Sequence, residues 1–271
     1  SPTDEIAFVV DSRALSLMEV GNTLSRHLIM MQIPEAHRIG APIGWYDISD
    51  LDTLPPRRMY VFLNLFDPTA KDLENIARLK SDGRVLIFIY GAGVYNRGLF
   101  SPKASERLIG FPLMHRAQEG PLSVKVGEGA FLHIAALEYA KDVRTRGYFV
   151  PGQTVGKVLG TLTDGAPGLV LNEHEGCTVI WSAGPTLPAR LLRAAAAKAG
   201  VHHYIDTDDV VWATRETLAI TVNEPGRRTI RLPRPARIID VFSGAVVVED
   251  ASSFDADFQA GGTRLYRLEF R

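Results

Sequence analysis

Glu5 to Asp11 reads EIAFVVD, Met59 to Leu65 reads MYVFLNL, and Arg84 to Tyr90 reads RVLIFIY. Each stretch is an almost unbroken apolar run with β-branched and aromatic residues, which is typical of a strand buried on both faces. Trp45 to Ile48 is a shorter candidate strand. Helical patterns separate these runs, so the order predicts parallel β-α-β units with right-handed crossovers in an open, doubly wound, flavodoxin-like and mainly parallel α/β sheet.

Two helices are predicted between these strands. The first should end before Pro34, since helices tend to stop ahead of a proline. It has an apolar stripe at intervals of three or four, formed by Leu17, Val20, Leu24, Leu28 and Met31. The second helix should be capped by Asp67, carry Pro68 in its first turn, and end at Asp82-Gly83.

The stretch from residue 94 to residue 147 shows only a short helical pattern near Ser101 to Leu108. A further helix should begin near Thr186 and stop at Gly200. A hairpin turn is predicted at Asn172 to Gly176, between the second and third of three strands. These strands are Lys157 to Leu162, Gly168 to Leu171 and Cys177 to Ser182.

The pattern changes after the acidic run Asp206 to Asp209, which is predicted to be a solvated linker. From Val210 to Arg271 there is no helical pattern, and six short strand-like segments alternate with turns. We therefore predict two domains: a flavodoxin-like α/β domain at residues 1–205 and a small antiparallel all-β domain at residues 206–271.

Composition excludes several classes of protein. The 271 residues are 46% hydrophobic and 23% charged, as in a globular protein with a core. A net charge of −1 lacks the basic surplus that nucleic acid requires, and no apolar run approaches the roughly 20 residues of a membrane helix. With Cys177 as the single cysteine no internal disulfide can form, so a cytoplasmic location is expected. The start at Ser1, without a signal-peptide pattern, favours a processed chain or part of a longer protein.

Gly91-Ala92-Gly93 follows a buried strand, where a phosphate-binding turn or a nucleophile elbow could lie. The motif is too short for a phosphate loop, and the residue between the glycines is alanine, which has no nucleophilic atom. Glycines serving a tight turn are the favoured interpretation. Asp11 and Asn64 lie at the ends of two predicted strands, so a ligand crevice at the strand edges would contain Asp11, Asn64, Gly91, Gly93 and Asn96.

For the other residues of catalytic or metal-binding type, the sequence favours structural roles. Asn223-Glu224 precedes a proline, as in many barrel glycosidases, but it falls in a turn between short strands, and Asn172-Glu173 falls at a predicted hairpin tip. The pairs His174-Glu175 and His202-His203 lack the three or four convergent ligands of a metal site. No catalytic residue, metal or cofactor is therefore predicted. Burial is favoured for all three tryptophans, which are Trp45, Trp181 and Trp212.

The order of these pieces resembles the non-catalytic C-terminal part of family 42 β-galactosidases and related barrel glycoside hydrolases. The resemblance rests on EIAFVVD, on WYDI at residues 45–48, on YVFLNLF at 60–66, on GRVLIFIYGAG at 83–93, and on the ending RPARIIDVFSGAVV with GGTRLYRL. It implies an upstream catalytic barrel that holds both catalytic glutamates, then a trimerisation domain related in fold to class I glutamine amidotransferases, then a small β domain. Ala92 stands where those amidotransferases have their cysteine.

Three functions stay open. The first is a non-catalytic structural and oligomerisation region of a larger β-galactosidase-like hydrolase, which would contact the upstream barrel and form a homo-oligomer, such as a trimer. The second is a free-standing flavodoxin-like enzyme or ligand-binding protein with its site in the predicted crevice. The third is a carbohydrate-binding module that would use Trp212 and Tyr266 as exposed aromatic residues.

Overall fold

The computed structural model describes residues 4–18, 23–131, 134–153 and 155–270. The helices are α1 Thr23–Leu28, α2 Gln32–His37, α3 Ala70–Leu79, α4 Glu106–Ile109 and α5 Ala189–Lys198, with 3-10 helices at Arg13–Leu17, Ile48–Asp52 and Pro102–Ser105. Within the described residues, no helix is both long and apolar enough to cross a membrane.

The strands fall into two groups along the chain. The first group is β1 Ile6–Val10, β2 Ile43–Asp47, β3 Met59–Phe62, β4 Arg84–Ile89, β5 Tyr95–Asn96, β6 Leu99–Phe100, β7 Leu113–Arg116, β8 Gly120–Pro121, β9 Val124–Val126, β10 Leu137–Tyr139, β11 Arg144–Thr145, β12 Tyr148–Pro151, β13 Lys157–Leu162, β14 Pro167–His174 and β15 Cys177–Ser182. The second group is β16 Val210–Ala213, β17 Thr217–Thr221, β18 Gly226–Asp240, β19 Val246–Phe258 and β20 Thr263–Phe270.

The largest sheet has nine strands in the order β10-β9-β13-β14-β15-β4-β3-β1-β2. Strands β15, β4, β3, β1 and β2 are parallel neighbours, which is the flavodoxin order 2-1-3-4-5 when β15 counts as the fifth strand. The other four strands extend the sheet in antiparallel fashion beyond β15. The predicted parallel core is confirmed, but the complete sheet is mixed because residues 90–176 add strands instead of a single crossover helix.

The helices cover the parallel core from two sides. The connections β1 to β2 and β3 to β4 run in opposite directions along the sheet, so right-handed crossovers place them on opposite faces. In agreement with this, α2 packs against α5, whereas α3 contacts α4 and the 3-10 helix Ile48–Asp52.

The details of the helices differ from the predictions. The single helix expected up to Pro34 is replaced by a 3-10 helix, α1 and α2, and Pro34 lies in the first turn of α2, where a missing N–H is tolerated. Val20, from the predicted stripe, lies outside the described residues. Helix α3 is capped by Thr69 rather than Asp67, in a reciprocal capping box with Asp72. The N-cap of α5 is Pro188 rather than Thr186, whose hydroxyl donates to the His27 carbonyl at 2.9 Å.

The second sheet is antiparallel, with the order β16-β17-β20-β18-β19. Two of the six predicted strands are in fact one bent strand, β18, which loses its regular register with β19 between Arg231 and Ala236. Pro233 and Pro235 lie at this bend, and neither has an N–H to donate to a neighbouring strand. Strand β20 pairs with β17 on one side, and on the other side it pairs with β18 only after the bend, from Ala236 to Asp240. This sheet packs on a hydrophobic core of its own, which extends from Tyr204 to Leu268.

The acidic run between the two sheets is solvated only in part: Asp206, Thr207 and Asp208 are exposed as predicted, but Asp209 is not. Asp209 is buried and pairs with Arg228 at 2.6 Å. The guanidinium of Arg193 on α5 donates to the carbonyls of Arg38, Ile39 and Thr207 and to the carboxylate of Asp208, at 2.6–2.9 Å. Tyr204 and Ile205 belong to the second core, and the division of the chain at residue 206 stays a prediction.

A close backbone approach joins the two sheets at Gly40. Gly40 has a φ of +86°, and a Cβ added to it would lie 2.2 Å from the Ile205 carbonyl oxygen. The Gly40 carbonyl accepts a hydrogen bond from the Tyr204 N–H at 2.8 Å. Any side chain at residue 40 would therefore push the segment at Tyr204 and Ile205 away.

Replacing Gly40 with alanine should cost more than the same change at a free position. Gly83 also has a positive φ, +72°, but a Cβ added there would have no atom within 4 Å. Both substitutions carry the left-handed backbone penalty of about 1–2 kcal/mol. We expect Gly40→Ala to lower the free energy of unfolding, measured in urea, by on the order of 2 kcal/mol more than Gly83→Ala. Equal losses would contradict the proposed collision.

His203 in the same segment should make stability depend on pH. Its Nε2 is buried without a hydrogen-bond partner, and burial lowers the pKa of His203 to about 4. The unfolded chain has a histidine pKa of about 6.5, so only the unfolded chain binds this proton between the two values. The stability that depends on a neutral His203 is therefore fully present above pH 6.5, and this contribution is lost progressively as the pH falls toward about 4.

The measurement is urea unfolding at a series of pH values. Within the window we expect His203 to contribute a slope of at most about 1.4 kcal/mol per pH unit. His203→Gln should have a shallower slope there and the same slope as the unmodified protein above pH 7. Parallel curves across the whole range would contradict the role given to His203.

Candidate functional site

Ligands of doubly wound sheets bind where the strand order reverses, which here is between the carboxyl ends of β1 and β3. The structure brings Asp11 and Asn64 together at this point. The Asn64 side-chain oxygen accepts from the Asp11 N–H at 2.8 Å, and its amide nitrogen donates to the Asp11 carbonyl at 2.9 Å. Asn64 is fully buried. Its side chain therefore joins the two strand ends and has no exposed surface for a ligand.

The Asp11 carboxylate is also occupied by the protein. Arg13 donates to it from its backbone N–H and from its guanidinium at 2.9–3.1 Å, and the same guanidinium reaches Asp72 at 2.7 Å. The hydrogen bond to Asp11 is the main cause of the raised pKa of Arg13. This ion-pair chain connects β1 to the first turn of α3.

The glycines of the predicted crevice provide space for packing. A Cβ on Gly91 would lie 2.8 Å from the ring of Phe149, and one on Gly93, where φ is +67°, would lie 2.8 Å from Leu108. The Gly93 N–H donates to the Leu65 carbonyl at 2.8 Å, so this turn lies beside Asn64. Asn96 is exposed in the hairpin β5–β6 and is not brought into contact with Asp11 or Asn64.

The strained residue of this turn is Tyr90, not Ala92. Tyr90 has a φ of +57°, in the left-handed region that non-glycine residues rarely adopt. Its hydroxyl donates to the Gly147 carbonyl at 2.9 Å, and burial raises the pKa of Tyr90 to about 12. A neutral, hydrogen-bonded phenol is a poor nucleophile, so this turn offers no acyl-transfer chemistry.

Beside this turn is a cavity of about 450 Å³. Six rings from four separate segments line it: Phe66, Tyr90, Tyr95, Phe100, His115 and Phe149. Phe149 meets Tyr90 edge-on with centroids 5.1 Å apart and meets His115 at 5.4 Å, while Phe100 lies 5.9 Å from Tyr95 and 6.4 Å from Phe149. The rings form one connected cluster.

Aliphatic and weakly polar side chains complete the cavity wall. Leu17, Met18, Leu24, Val94 and Ser25 contribute, and none of the described lining residues is Asp, Glu, Lys or Arg. Leu17 and Phe100 are about half exposed (47% and 49%), so the cavity reaches the surface. The arrangement suits an uncharged ring rather than an ion.

Sequence reasoning missed this cavity because four of its rings lie between residues 94 and 150, where no periodic pattern is visible. One local signal was available. Tyr95 and Phe100 flank Arg97-Gly98, whose φ values of +54° and +76° are those of a two-residue type I′ hairpin turn. The Asn-Arg-Gly sequence could have indicated that hairpin.

The remaining candidate residues have structural partners. Asn172 and Glu173 lie inside β14, not at a hairpin tip, because the turn is only Glu175-Gly176. Glu173 accepts from Thr178 and pairs with Lys198 at 2.8 Å. Glu224 lies in the predicted turn between β17 and β18. In the part of the chain that the structure describes, no three His, Cys, Asp or Glu side chains are grouped so as to hold a metal ion.

The aromatic residues divide differently from the predictions. Trp181 is fully buried and Trp45 half-buried, but Trp212 is 56% exposed, and its ring lies on His37 with centroids 4.6 Å apart. Tyr266, which the carbohydrate-binding hypothesis requires on the surface, is fully buried. Of the two aromatic residues named in the carbohydrate-binding hypothesis, only Trp212 is therefore on the surface. Cys177 is buried, and burial raises its pKa, which disfavours a reactive thiolate.

Comparison with known proteins identifies the class of the fold. No protein family model and no curated protein sequence matches this chain. Solved structures of glycoside hydrolases do share its fold, an α/β domain followed by an antiparallel β domain.

The β-galactosidase from Bacillus circulans sp. alkalophilus matches 98% of this chain with 42% of its own, at a TM-score of 0.70 and 13% identity. A GH42 β-galactosidase from G. stearothermophilus matches 98% of this chain with 40% of its own length, at a TM-score of 0.69 and 10% identity. The α-L-fucosidase isoenzyme 2 from Paenibacillus thiaminolyticus matches 100% of this chain with 49% of its own length, at a TM-score of 0.63 and 10% identity. The resemblance to part of the family 42 β-galactosidases is thus confirmed in fold, and this chain spans less than half the length of these enzymes.

Removing the amide of Asn64 should destabilise the protein strongly. In Asn64→Leu the buried Asp11 N–H would lose its partner, whereas the Asp11 carbonyl would keep the Ala14 N–H at 3.1 Å. An unpaired buried donor costs about 1–3 kcal/mol, and we expect a loss of about 2–3 kcal/mol in urea unfolding. The matched control is Asn223→Leu in an exposed turn, which should change stability by less than about 0.5 kcal/mol. Similar losses in both variants would contradict the role of Asn64.

Proposed function

We propose that this chain is a non-catalytic structural and oligomerisation region of a larger, β-galactosidase-like glycoside hydrolase. The observation that supports the proposal is the extent of the match: nearly all of this chain corresponds to only 40–42% of two β-galactosidase chains. The rest of such a chain would contain the catalytic barrel, which is the first expected partner. A cytoplasmic location remains a prediction.

The chemistry of the described residues supports a non-catalytic role. At the strand edges, Asp11 and Asn64 are hydrogen-bonded within the protein, and Ala92 has no reactive atom. Glu173 is engaged by Thr178 and Lys198. A glycosidase needs two carboxyl groups facing each other across a sugar, and the two glutamates that follow an asparagine, Glu173 and Glu224, lie in different domains, one in β14 and one in the turn between β17 and β18.

The β domain offers a surface for assembly. Strand β19 is an edge of the five-stranded sheet, and edge strands pair readily with other chains. Four apolar residues at its start and in the preceding turn are exposed by 39–73%: Val241, Phe242, Val246 and Val247. A group of exposed apolar side chains on an edge strand is typical of a protein contact.

The first test is the mass in solution by sedimentation equilibrium over a range of concentrations. We expect a homo-oligomer, with a trimer as the first candidate, and we expect Phe242→Ser to shift it toward the monomer because that ring is 73% exposed at the proposed contact. Leu99→Ser tests the alternative contact, since Leu99 is 74% exposed in the α/β domain, which the resemblance names as the trimerisation domain. Dissociation by Leu99→Ser and not by Phe242→Ser would contradict a contact on β19. A monomer at every concentration would contradict self-assembly.

Activity provides the second test. This chain alone should not hydrolyse nitrophenyl β-galactoside, because the proposed role assigns no catalytic residue to it. Hydrolysis that disappears in Glu224→Gln or Glu173→Gln would contradict the non-catalytic role and would place an active site in this chain.

A further inference from the structure

We propose that the aromatic cavity beside Tyr90 binds a small, uncharged, flat ring that carries one hydrogen-bonding group, a ligand of the phenol class. This inference is independent of the proposed assembly role, since the cavity lies in the α/β domain and the proposed contact lies on β19. It is carried by the shape of the cavity, the chemistry of its wall, and the way in which Tyr90 is held.

The size and position of the cavity suit a small molecule. A volume of about 450 Å³ is within the range of small-ligand pockets. The cavity lies at the carboxyl end of β4, next to the position where the strand order reverses, and this end of a doubly wound sheet is where ligands bind. Phe66, Tyr90 and Phe149 form its buried wall, while Leu17 and Phe100 reach the solvent.

The wall selects against charged ligands. Among the described residues that line the cavity there is no acidic side chain, lysine or arginine, so an ionised group would lose its hydration without gaining an opposite charge from them. The ring edges and faces of Phe66, Phe100 and Phe149 instead offer the offset and edge-on contacts that a flat ring makes.

The wall also selects against sugars. A pyranose exposes several hydroxyl groups that need partners once buried. The described part of its wall offers few: the polar side chains there are those of Ser25, Tyr95 and His115. One or two such groups can satisfy a single phenolic hydroxyl, but they cannot satisfy the hydroxyls of a whole sugar.

Tyr90 forms a pre-organised part of the wall. Its left-handed backbone is fixed by three hydrogen bonds: its N–H donates to the Ser182 carbonyl at 2.7 Å, its carbonyl accepts from Trp181 Nε1 at 2.8 Å, and its hydroxyl donates to the Gly147 carbonyl at 2.9 Å. Strain of this kind persists where the surroundings hold it and is concentrated at binding sites. Here it sets the Tyr90 ring edge-on to Phe149, at 79°.

The experiment titrates the full chain with phenol, benzoate and galactose, using ligand-observed saturation-transfer NMR and thermal shift. We expect saturable binding of phenol, binding of benzoate weaker by about tenfold because its carboxylate must be desolvated, and no binding of galactose. Benzoate has the same ring as phenol but carries an ionised carboxylate in place of the neutral hydroxyl. Equal affinity for phenol and benzoate, or no saturable phenol binding, would overturn the proposal.

Variants locate the site. Phe100→Ala should weaken phenol binding roughly fivefold through loss of a ring contact, and it should fold because Phe100 is half exposed. Phe149→Leu, which retains most of the buried volume, should weaken it similarly. Trp212→Ala removes an exposed ring in the other domain and should leave phenol binding unchanged. Phe242→Ser should also leave phenol binding unchanged, even if that variant dissociates to the monomer. Phenol binding that is insensitive to both Phe100→Ala and Phe149→Leu would overturn the site.

Discussion

The reciprocal hydrogen bonds between Asn64 and the Asp11 backbone are the constraint on which the α/β domain depends. Where the strand order reverses, the chain leaves β1 and β3 toward opposite faces, and the backbone groups at the two strand ends face a gap. A buried backbone group needs a partner. In this protein the partner is the fully buried side-chain amide of Asn64, and the Arg13 bridge to Asp72 then fixes the neighbouring carboxylate. The usual ligand position is thus filled by the protein, and the open space lies one strand away, against aromatic rings.

The joining of the two domains follows the same logic of satisfied backbone groups. The last carbonyls of the α2 segment and the carbonyl of Thr207 would face one another without donors, and Arg193 supplies donors to all of them. Its planar guanidinium can do so because it presents several N–H groups in fixed directions, which a lysine cannot. Gly40 then allows the segment at Ile205 to approach the α/β domain closely. The two hydrophobic cores remain separate, while the backbone between them is held at several points.

The sequence was informative where burial dominates. The apolar runs at Ile6–Val10, Met59–Phe62 and Arg84–Ile89 are strands of the parallel core, because a strand buried on both faces must be apolar throughout. It was less informative where partners are distant in the chain. The burial of Asp209, at the end of an otherwise exposed acidic run, was not predicted because its partner Arg228 comes from another element. The aromatic cavity was invisible for the same reason, since its rings converge only after the strands of residues 90–176 have paired.

The position of β15 has a consequence for how the chain folds. Strand β15 pairs with β4 in parallel, so Cys177 lies opposite Arg84, and the whole stretch of residues 90–176 is the loop that this pairing closes. Closing a loop of that length costs chain entropy before any contact is gained, and non-local pairing of this kind slows folding. The β14–β15 hairpin is local and can form early. We therefore expect the pairing of β4 with β15 to be a late step in folding, and until it occurs the apolar edges of both strands would be exposed in a newly made chain.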